Sequence, residues 1–263
     1  DESQINNNNV NGTFNLVKSA SKNNIKNFIF TSTFSIFEKN YPELIDETEP
    51  ISCSNLYGLS KAETERILLS AEKKINIIIF RCPVIVEKSR AHKLAILFEF
   101  IKDNSSLWIL GNGNNKIQFL SAYDLFKVTE RSLKLKGKHI FNIGTDKVLS
   151  LREVFKFLIK KTKSQSKIRF FNKPIGILIL KTLTFFRLID FTDYHNKLLI
   201  SSIVMDITRV KKVLKYKPKK SNAELLLEAY NYYIANKKTV KYGSGQKPRM
   251  GFFNVIKYIS KFI

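Results

Sequence analysis

The sequence predicts an α/β protein built on a doubly wound parallel sheet, on three observations. Helical and strand-like patterns alternate along the first half of the chain. Residues Ile75 to Cys82 form a continuous apolar run, which is typical of a parallel strand covered on both faces. The 263 residues, 44% of them hydrophobic, are enough for a large domain with its own core. In such sheets, ligands bind outside the carboxyl ends of the strands, so residues that follow a strand are the first site candidates.

The first elements follow directly from these patterns. Apolar residues recur at helical spacing up to Lys22, and the run from Ile25 to Ser32 is apolar and rich in β-forming residues. The stretch from Phe34 to Leu56 contains two prolines and several acids, which indicates an irregular connection. A second helix is predicted from Tyr57 to Lys73, just before the strand at 75–82.

The second half of the chain gives weaker but similar signals. A turn is predicted at Gly111–Asn114, and Ser150 with Glu153 forms the sequence signature of a capping box at a helix start. Ser221 precedes another amphipathic helix. The remaining predicted elements are helices near 91–102 and 124–135 and strands at 107–110, 118–120 and 139–143.

The charge balance points to anionic partners. The chain has 45 Lys plus Arg against 22 Asp plus Glu, a formal net charge of +23. Such an excess suits nucleic acid, an acidic membrane surface or a phosphorylated substrate. The chain lacks a basic–aromatic repeat or a nucleic-acid-binding motif, so nucleic acid is not expected as a partner. A diffuse lysine-rich surface, solvated and without a dedicated polyanion site, is the favoured interpretation.

Cysteine and histidine usage argues against a metal site. Cys53 and Cys82 form no CxxC pair, and the chain has three histidines. Two thiols and a start without signal-peptide character favour a cytoplasmic protein. The longest apolar stretch, Pro174 to Ile189, is interrupted by charges and is shorter than the roughly 20 residues that a membrane-spanning helix needs.

The most informative motif is Tyr57-Gly58-Leu59-Ser60-Lys61. Residues four apart lie on one face of a helix, so the Tyr57 hydroxyl and the Lys61 ammonium can point into the same cleft. A nearby cation favours the phenolate and would make the tyrosine a usable base near neutral pH. Upstream, Thr31-Ser32-Thr33 ends an apolar strand, where a hydroxyl can hold the substrate oxygen.

The motif belongs to an ordered series of segments. The members are Asn9–Thr13, Lys26–Thr33, Tyr57–Lys61, Arg81–Val84, Gln118–Leu120 with Asp124–Leu125, Phe141–Gly144, and Asp206–Arg209 with Lys217–Pro218. Together, over roughly residues 8 to 236, they resemble the extended short-chain dehydrogenase/reductase superfamily, in particular its NAD-dependent epimerase/dehydratase members that act on nucleotide sugars. The resemblance implies a Rossmann-like doubly wound sheet with a smaller C-terminal substrate-binding subdomain.

The resemblance also implies roles for individual residues and an NAD or NADP cofactor. Hydride transfer and proton transfer would proceed as in a UDP-glucose 4-epimerase, with Tyr57 as acid/base, Lys61 lowering its pKa and Thr33 as the catalytic hydroxyl. The implied cofactor-binding residues are Asn8, Asn9, Thr31, Tyr57, Lys61 and Pro83. The implied substrate-binding residues are Thr33, Val84, Lys116, Ile117 and His195. Asn8 and Asn9 are equally well explained as loop or helix-cap residues.

The chain departs from the family pattern at its start and in its substrate residues. The family opens with a strand, a glycine-rich turn and a helix that hold the cofactor pyrophosphate. No such motif precedes Asn9, so we expect an N-terminally truncated sheet, a strand at 25–32 without its inner neighbour, and weak dinucleotide binding. Ile117 and His195 stand where sugar epimerases carry diphosphate-binding arginines. Together with apolar Val84, they favour a steroid-dehydrogenase-like or other NAD(P)-dependent reductase as an alternative.

The expected domain organisation is a Rossmann part at 1–90, a mixed substrate-binding part at 91–236 and a basic amphipathic tail at 237–263. A non-catalytic remnant or binding module is the alternative from a different functional class. Besides a nucleotide sugar or other small molecule, the partners left open are a second copy of the chain and, for the tail, an anionic membrane surface. Binding of the tail to that surface would place the cytoplasmic protein at the periphery of the membrane.

Overall fold

A computed structural model describes residues 6–37, 43–72, 74–87, 94–186 and 199–236. The chain forms two compact units, each assembled from separate segments. The first unit draws on 1–85, 120–146 and 203–219, and the second on 86–119, 147–202 and 220–263.

The elements within the described ranges alternate much as the sequence predicts. The α-helices are α1 Gly12–Lys22, α2 Leu56–Ser70, α3 Ala95–Lys102, α4 Ala122–Ser132, α5 Leu151–Thr162, α6 Lys173–Phe185, α7 Thr208–Leu214 and α8 Asn222–Asn236. The strands are β1 Asn27–Thr33, β2 Asn76–Cys82, β3 Val84–Val86, β4 Leu107–Leu110, β5 Phe119–Ser121, β6 Lys138–Asn142 and β7 Ile168–Phe171. A π-helical turn at Asn6–Asn11 precedes α1, and a 3-10 turn at Phe34–Phe37 follows β1.

The first unit contains a three-stranded parallel sheet in the order β1-β2-β6. Thr33 lies opposite Cys82, and Arg81 lies opposite Asn142, so the three strands end at the same edge. Within the described residues, β1 is an outer strand of this sheet. The parallel pairing confirms the predicted α/β class.

Strand β2 is buried on both faces, which explains its unbroken apolar sequence. Ile77 and Ile79 belong to one core cluster, whereas Ile78 and Phe80 belong to another. Because successive side chains point to opposite faces of a strand, the two clusters lie on opposite sides of the sheet. Helices α1 and α2 contribute to the first cluster, and α4 and α7 contribute to the second. Helices therefore cover both faces of the sheet.

The second unit has a smaller sheet and a helical core. Strands β4 and β7 pair in parallel, with Leu107 opposite Ile168. Phe98 of α3 packs edge-on against Tyr230 of α8, and the buried Tyr233 hydroxyl donates a hydrogen bond to Glu99. The predicted capping box at the start of α5 is confirmed. In the part of the chain that the structure describes, no helix has both the length and the apolar character needed to cross a membrane.

Several features differ from the sequence-based expectation. The irregular connection after β1 begins with a 3-10 turn whose four residues are all buried, since Phe34, Ile36 and Phe37 supply apolar side chains to the core. Strands β3 and β7 and helix α7 have no counterpart among the predicted elements. The predicted tail at 237–263 lies outside the described residues.

Candidate active site

The first turn of α2 is held against the polypeptide that follows β1. Asn55 caps the helix, its side chain accepting a hydrogen bond from the Gly58 backbone N–H at 2.7 Å. A Cβ atom at position 58 would lie 2.6 Å from the Ser35 carbonyl oxygen and 3.1 Å from the Cys53 Cβ. Glycine therefore permits a close approach that sets the position of its neighbour, Tyr57.

Tyr57 and Thr33 meet at the carboxyl end of β1. Their side chains are hydrogen-bonded to each other. The buried Thr33 hydroxyl also donates to the Ser35 hydroxyl at 3.1 Å and accepts from the Ser35 backbone N–H at 3.2 Å. Tyr57 itself remains 45% exposed, so its ring is accessible from outside. The arrangement fixes two hydroxyl groups side by side at the sheet edge.

Lys61 lies one helical turn after Tyr57 and reaches back to the same strand. Its ammonium donates a hydrogen bond to the Thr31 carbonyl oxygen at 3.0 Å. The Nζ atom lies 4.4 Å from the centroid of the Phe30 ring and 5.9 Å from that of the Tyr57 ring. The helical spacing therefore brings the two side chains together, as the sequence predicts.

The pKa of Tyr57 moves in the opposite direction from the sequence-based expectation. Partial burial raises the pKa of its phenol, and the hydrogen bond with Thr33 lowers it by less. Burial likewise lowers the pKa of Lys61. The Lys61 ammonium donates to the Thr31 carbonyl and lies over the Phe30 ring. At neutral pH the phenol is thus a proton donor.

Cys82, which has no predicted role, ends β2 beside Thr33. Its thiol is buried, donates to the Phe80 carbonyl at 3.5 Å, and interacts electrostatically with Tyr57 and Lys61. Burial raises the pKa of Cys82 to about 12. The thiol is therefore neutral near pH 7. The only sequence signal for the proximity of Cys82 to Thr33 is that each of these residues ends an apolar strand.

The expected cofactor-binding residues occupy different environments. Half-buried Asn9 donates its side-chain amide to the Ser60 hydroxyl at 3.0 Å, and its carbonyl accepts from Thr64 at 3.2 Å, which joins the N-terminal turn to α2. Asn8 and Thr31 are exposed, whereas Pro83 is buried. The two hydrogen bonds of Asn9 favour a structural role for this residue, in contact with the helix that carries Tyr57, over a role in cofactor binding.

A buried ion pair fixes α2 to the sheet. Arg81 of β2 and Glu65 of α2 approach to 2.8 Å, with side chains only 5% and 1% exposed. Arg81 also donates to the Glu47 carbonyl at 3.0 Å, and its guanidinium lies 5.2 Å from the Phe37 ring centroid. Because Glu65 lies one turn beyond Lys61, this pair supports the part of the helix that carries the candidate residues.

The expected substrate-binding residues are not all in the first unit. Val84 lies in the first unit, is half-buried and is the first residue of β3. Lys116 and Ile117 belong to the second unit, where the Lys116 backbone N–H donates to Ser202 and the Ile117 carbonyl accepts from Asn222. His195 lies outside the described residues. Over the ranges that the structure covers, no three His, Cys, Asp or Glu side chains are grouped so as to hold a metal ion.

Known proteins resemble this chain in sequence over much of its length. Residues 1–144 match the NAD dependent epimerase/dehydratase family. Over 245 residues the chain is 29% identical to the uncharacterized protein y4nG of Sinorhizobium fredii, covering 91% of this chain and 61% of that protein. It is also 31% identical over 172 residues to the dTDP-D-glucose 4,6-dehydratase of Bos taurus, covering 60% of this chain and 47% of the relative. The chain therefore spans less than two thirds of either protein.

Solved structures share the fold. The UDP-glucuronic acid 4-epimerase of Bacillus cereus, crystallised with UDP-glucuronic acid and NAD, superposes with a TM-score of 0.65 at 20% identity. The match covers 88% of this chain and 68% of that one. It supports the Rossmann-like assignment of the sheet.

Proposed function

This chain belongs to the NAD dependent epimerase/dehydratase family, and on that premise we propose that it is a nucleotide-sugar epimerase or dehydratase with Tyr57 as the proton-transferring residue. The observation that carries the proposal is the hydrogen-bonded pair of Tyr57 and Thr33 at the carboxyl edge of the sheet, with Lys61 one turn away. Ligands of doubly wound sheets bind at this edge.

The residues around Tyr57 fit the ribose and nicotinamide end of NAD. An ammonium group has three donors, and the Thr31 carbonyl occupies one donor of Lys61, which leaves two for ribose hydroxyls. Tyr57 and Thr31 present accessible atoms beside it. When bound there, NAD supplies the acceptor for the hydride that leaves the sugar carbon.

The chain's own residues would handle the proton. Thr33 would exchange its hydrogen bond to Ser35 for one donated to the reacting sugar oxygen, so that the sugar proton points toward the phenol oxygen of Tyr57. Because its pKa is raised, the phenol stays protonated at neutral pH and carries the proton that reduction of a keto group requires. Proton removal needs the phenolate and becomes easier as the pH rises.

The test uses the full chain with NAD and a panel of UDP- and dTDP-linked hexoses, followed by chromatography of the sugars. We expect conversion of at least one substrate, and loss of about 100-fold or more in Tyr57→Phe. The matched control is Tyr123→Phe, which removes the hydroxyl of another exposed tyrosine, 67% accessible, and should retain activity. Conversion by Tyr57→Phe at the rate of the unmodified chain would refute the role of Tyr57.

A non-catalytic binding module is a second candidate, and one observation favours it. The phenol pKa is raised, and the Lys61 ammonium is directed at a backbone carbonyl. Under this alternative, NAD produces no change in the thermal unfolding of the chain and none of the sugars is converted. A saturable increase in melting temperature with NAD would favour the enzyme instead.

Two partners remain predictions from the sequence. A second copy of the chain would form a homodimer with the first. A measurement of the molecular mass in solution tests this prediction. The basic tail at 237–263 would associate with an anionic membrane surface. Equal recovery of the full chain in the soluble fraction with and without anionic vesicles would contradict that association.

A further inference from the structure

Helix α6 of the second unit exposes several large apolar side chains on one face. Counting the C-cap residue that follows the helix, its large exposed apolar side chains are Ile175 (55%), Leu178 (66%), Ile179 (41%), Phe185 (81%) and Phe186 (65%). Single exposed apolar residues are ordinary, whereas a contiguous patch marks a contact surface. We name these five residues the α6 stripe.

The helical geometry separates the stripe from the face that packs on the protein. At 3.6 residues per turn, the five side chains fall within an arc of about 120°. Gly176, Ile177 and Leu180 lie on the opposite side and are buried or half-buried. A Cβ atom at Gly176 would collide with the side chain of Leu110, so the helix backbone lies directly against β4 on that side. The stripe is therefore the outer face of a docked helix.

The segment that contains the stripe is strongly basic. Between 151 and 186 the chain has nine lysines and arginines and one carboxylate, Glu153. That carboxylate is engaged in the capping box with Ser150 at 2.7 Å. Lys181 is exposed and lies at the border of the stripe on the helical projection. Two copies of a segment with this charge would repel each other, whereas anionic lipid headgroups would attract it.

The length of the helix determines how it would meet a bilayer. Its 13 residues extend over about 20 Å, shorter than the roughly 30 Å hydrocarbon core. We propose that α6 docks in the plane of an anionic membrane, with the stripe at the boundary between headgroups and acyl chains and Lys181 at the level of the phosphates. This inference is independent of the proposed reaction.

A fluorescent label tests the docking in the full chain. Thr182 is exposed in the middle of the stripe, and Cys53 and Cys82 are buried, so Thr182→Cys can be labelled selectively with a polarity-sensitive dye. We expect a blue shift with vesicles that contain phosphatidylglycerol and none with phosphatidylcholine alone. The control label at Asn15→Cys, beside the 62% exposed Leu16 of α1, should not shift with either vesicle.

This readout separates the helix from the basic tail. If the tail alone binds the vesicles, the protein sediments with them but the label at 182 does not shift, and the proposal fails. An equal shift at position 15 would indicate general adhesion of apolar surface and would also overturn it.

A pair of substitutions measures the contribution of the aromatic residues. Phe185→Ser with Phe186→Ser should weaken partitioning into anionic vesicles by about tenfold or more, because each ring buries apolar area in the interface. Phe126→Ser, at a 58% exposed phenylalanine of α4, should leave it unchanged. Unchanged partitioning of the double variant contradicts the proposal. Conversion of a dimer to a monomer by that variant, in the absence of lipid, would show that a second copy covers the stripe instead.

Discussion

Replacing Gly58 by alanine tests how the first turn of α2 positions Tyr57. Inside a helix, an alanine ordinarily stabilises the protein by about 1 kcal/mol more than a glycine does. Here its Cβ would lie 2.6 Å from the Ser35 carbonyl oxygen, and ordinary contact begins at 3.4 Å, so the backbone must move by about 0.8 Å. The colliding atom is backbone and cannot rotate away, which places the overpacking cost near 3 kcal/mol. The expected net destabilisation is about 2 kcal/mol.

The same displacement should reduce activity. A shift approaching 1 Å at a catalytic group can lower the rate by about 100-fold, so we expect kcat for Gly58→Ala to fall by tens of fold. Urea unfolding and sugar conversion measure the two effects. The control is Gly12→Ala at the start of α1, whose Cβ would meet the Asn7 carbonyl at an ordinary 3.5 Å and should be neutral or stabilising. Equal stability and activity for the Gly58→Ala chain would refute this interpretation of the close approach.

Three further changes test the surroundings of the site. Arg81→Met leaves the Glu65 carboxylate buried without its ion-pair partner and should cost about 3–5 kcal/mol in urea unfolding; a loss below about 1 kcal/mol would contradict the pairing. Burial raises the pKa of Cys82 to about 12, so iodoacetamide at about pH 8 should modify this thiol only after unfolding, and modification of the native protein would show that it is accessible. Asn9→Ala removes a hydrogen bond to α2 and should cost about 1 kcal/mol in thermal unfolding, with exposed Asn8→Ala as the control; equal melting of both variants would contradict the contact.

The sheet could be predicted from sequence because its signals are local. Ile75 to Cys82 is apolar throughout, and the structure buries its alternate residues in two different clusters. The capping signature of Ser150 and Glu153 likewise determines a helix start within four residues. Strand β7 was missed because its four residues include an arginine and carry no alternating pattern.

The candidate site could be predicted only in part. The spacing of Tyr57 and Lys61 places them on one helix face, and that depends on helix geometry alone. The direction of the tyrosine pKa depends on burial and on the neighbouring Cys82 and Thr33, which the spacing of Tyr57 and Lys61 does not determine. The proximity of Cys82 depends on the register between β1 and β2, and the contact of Asn9 depends on tertiary packing.

The central claim is that the Tyr57 phenol transfers the proton, and the pH dependence of kcat/KM tests it most directly. Because burial raises the pKa of this phenol, we expect kcat/KM for oxidation of the sugar hydroxyl to rise as the pH increases toward the alkaline range. Tyr57→Phe should abolish that rise and lower kcat/KM by about 100-fold or more. The same alkaline rise in Tyr57→Phe would show that another group transfers the proton.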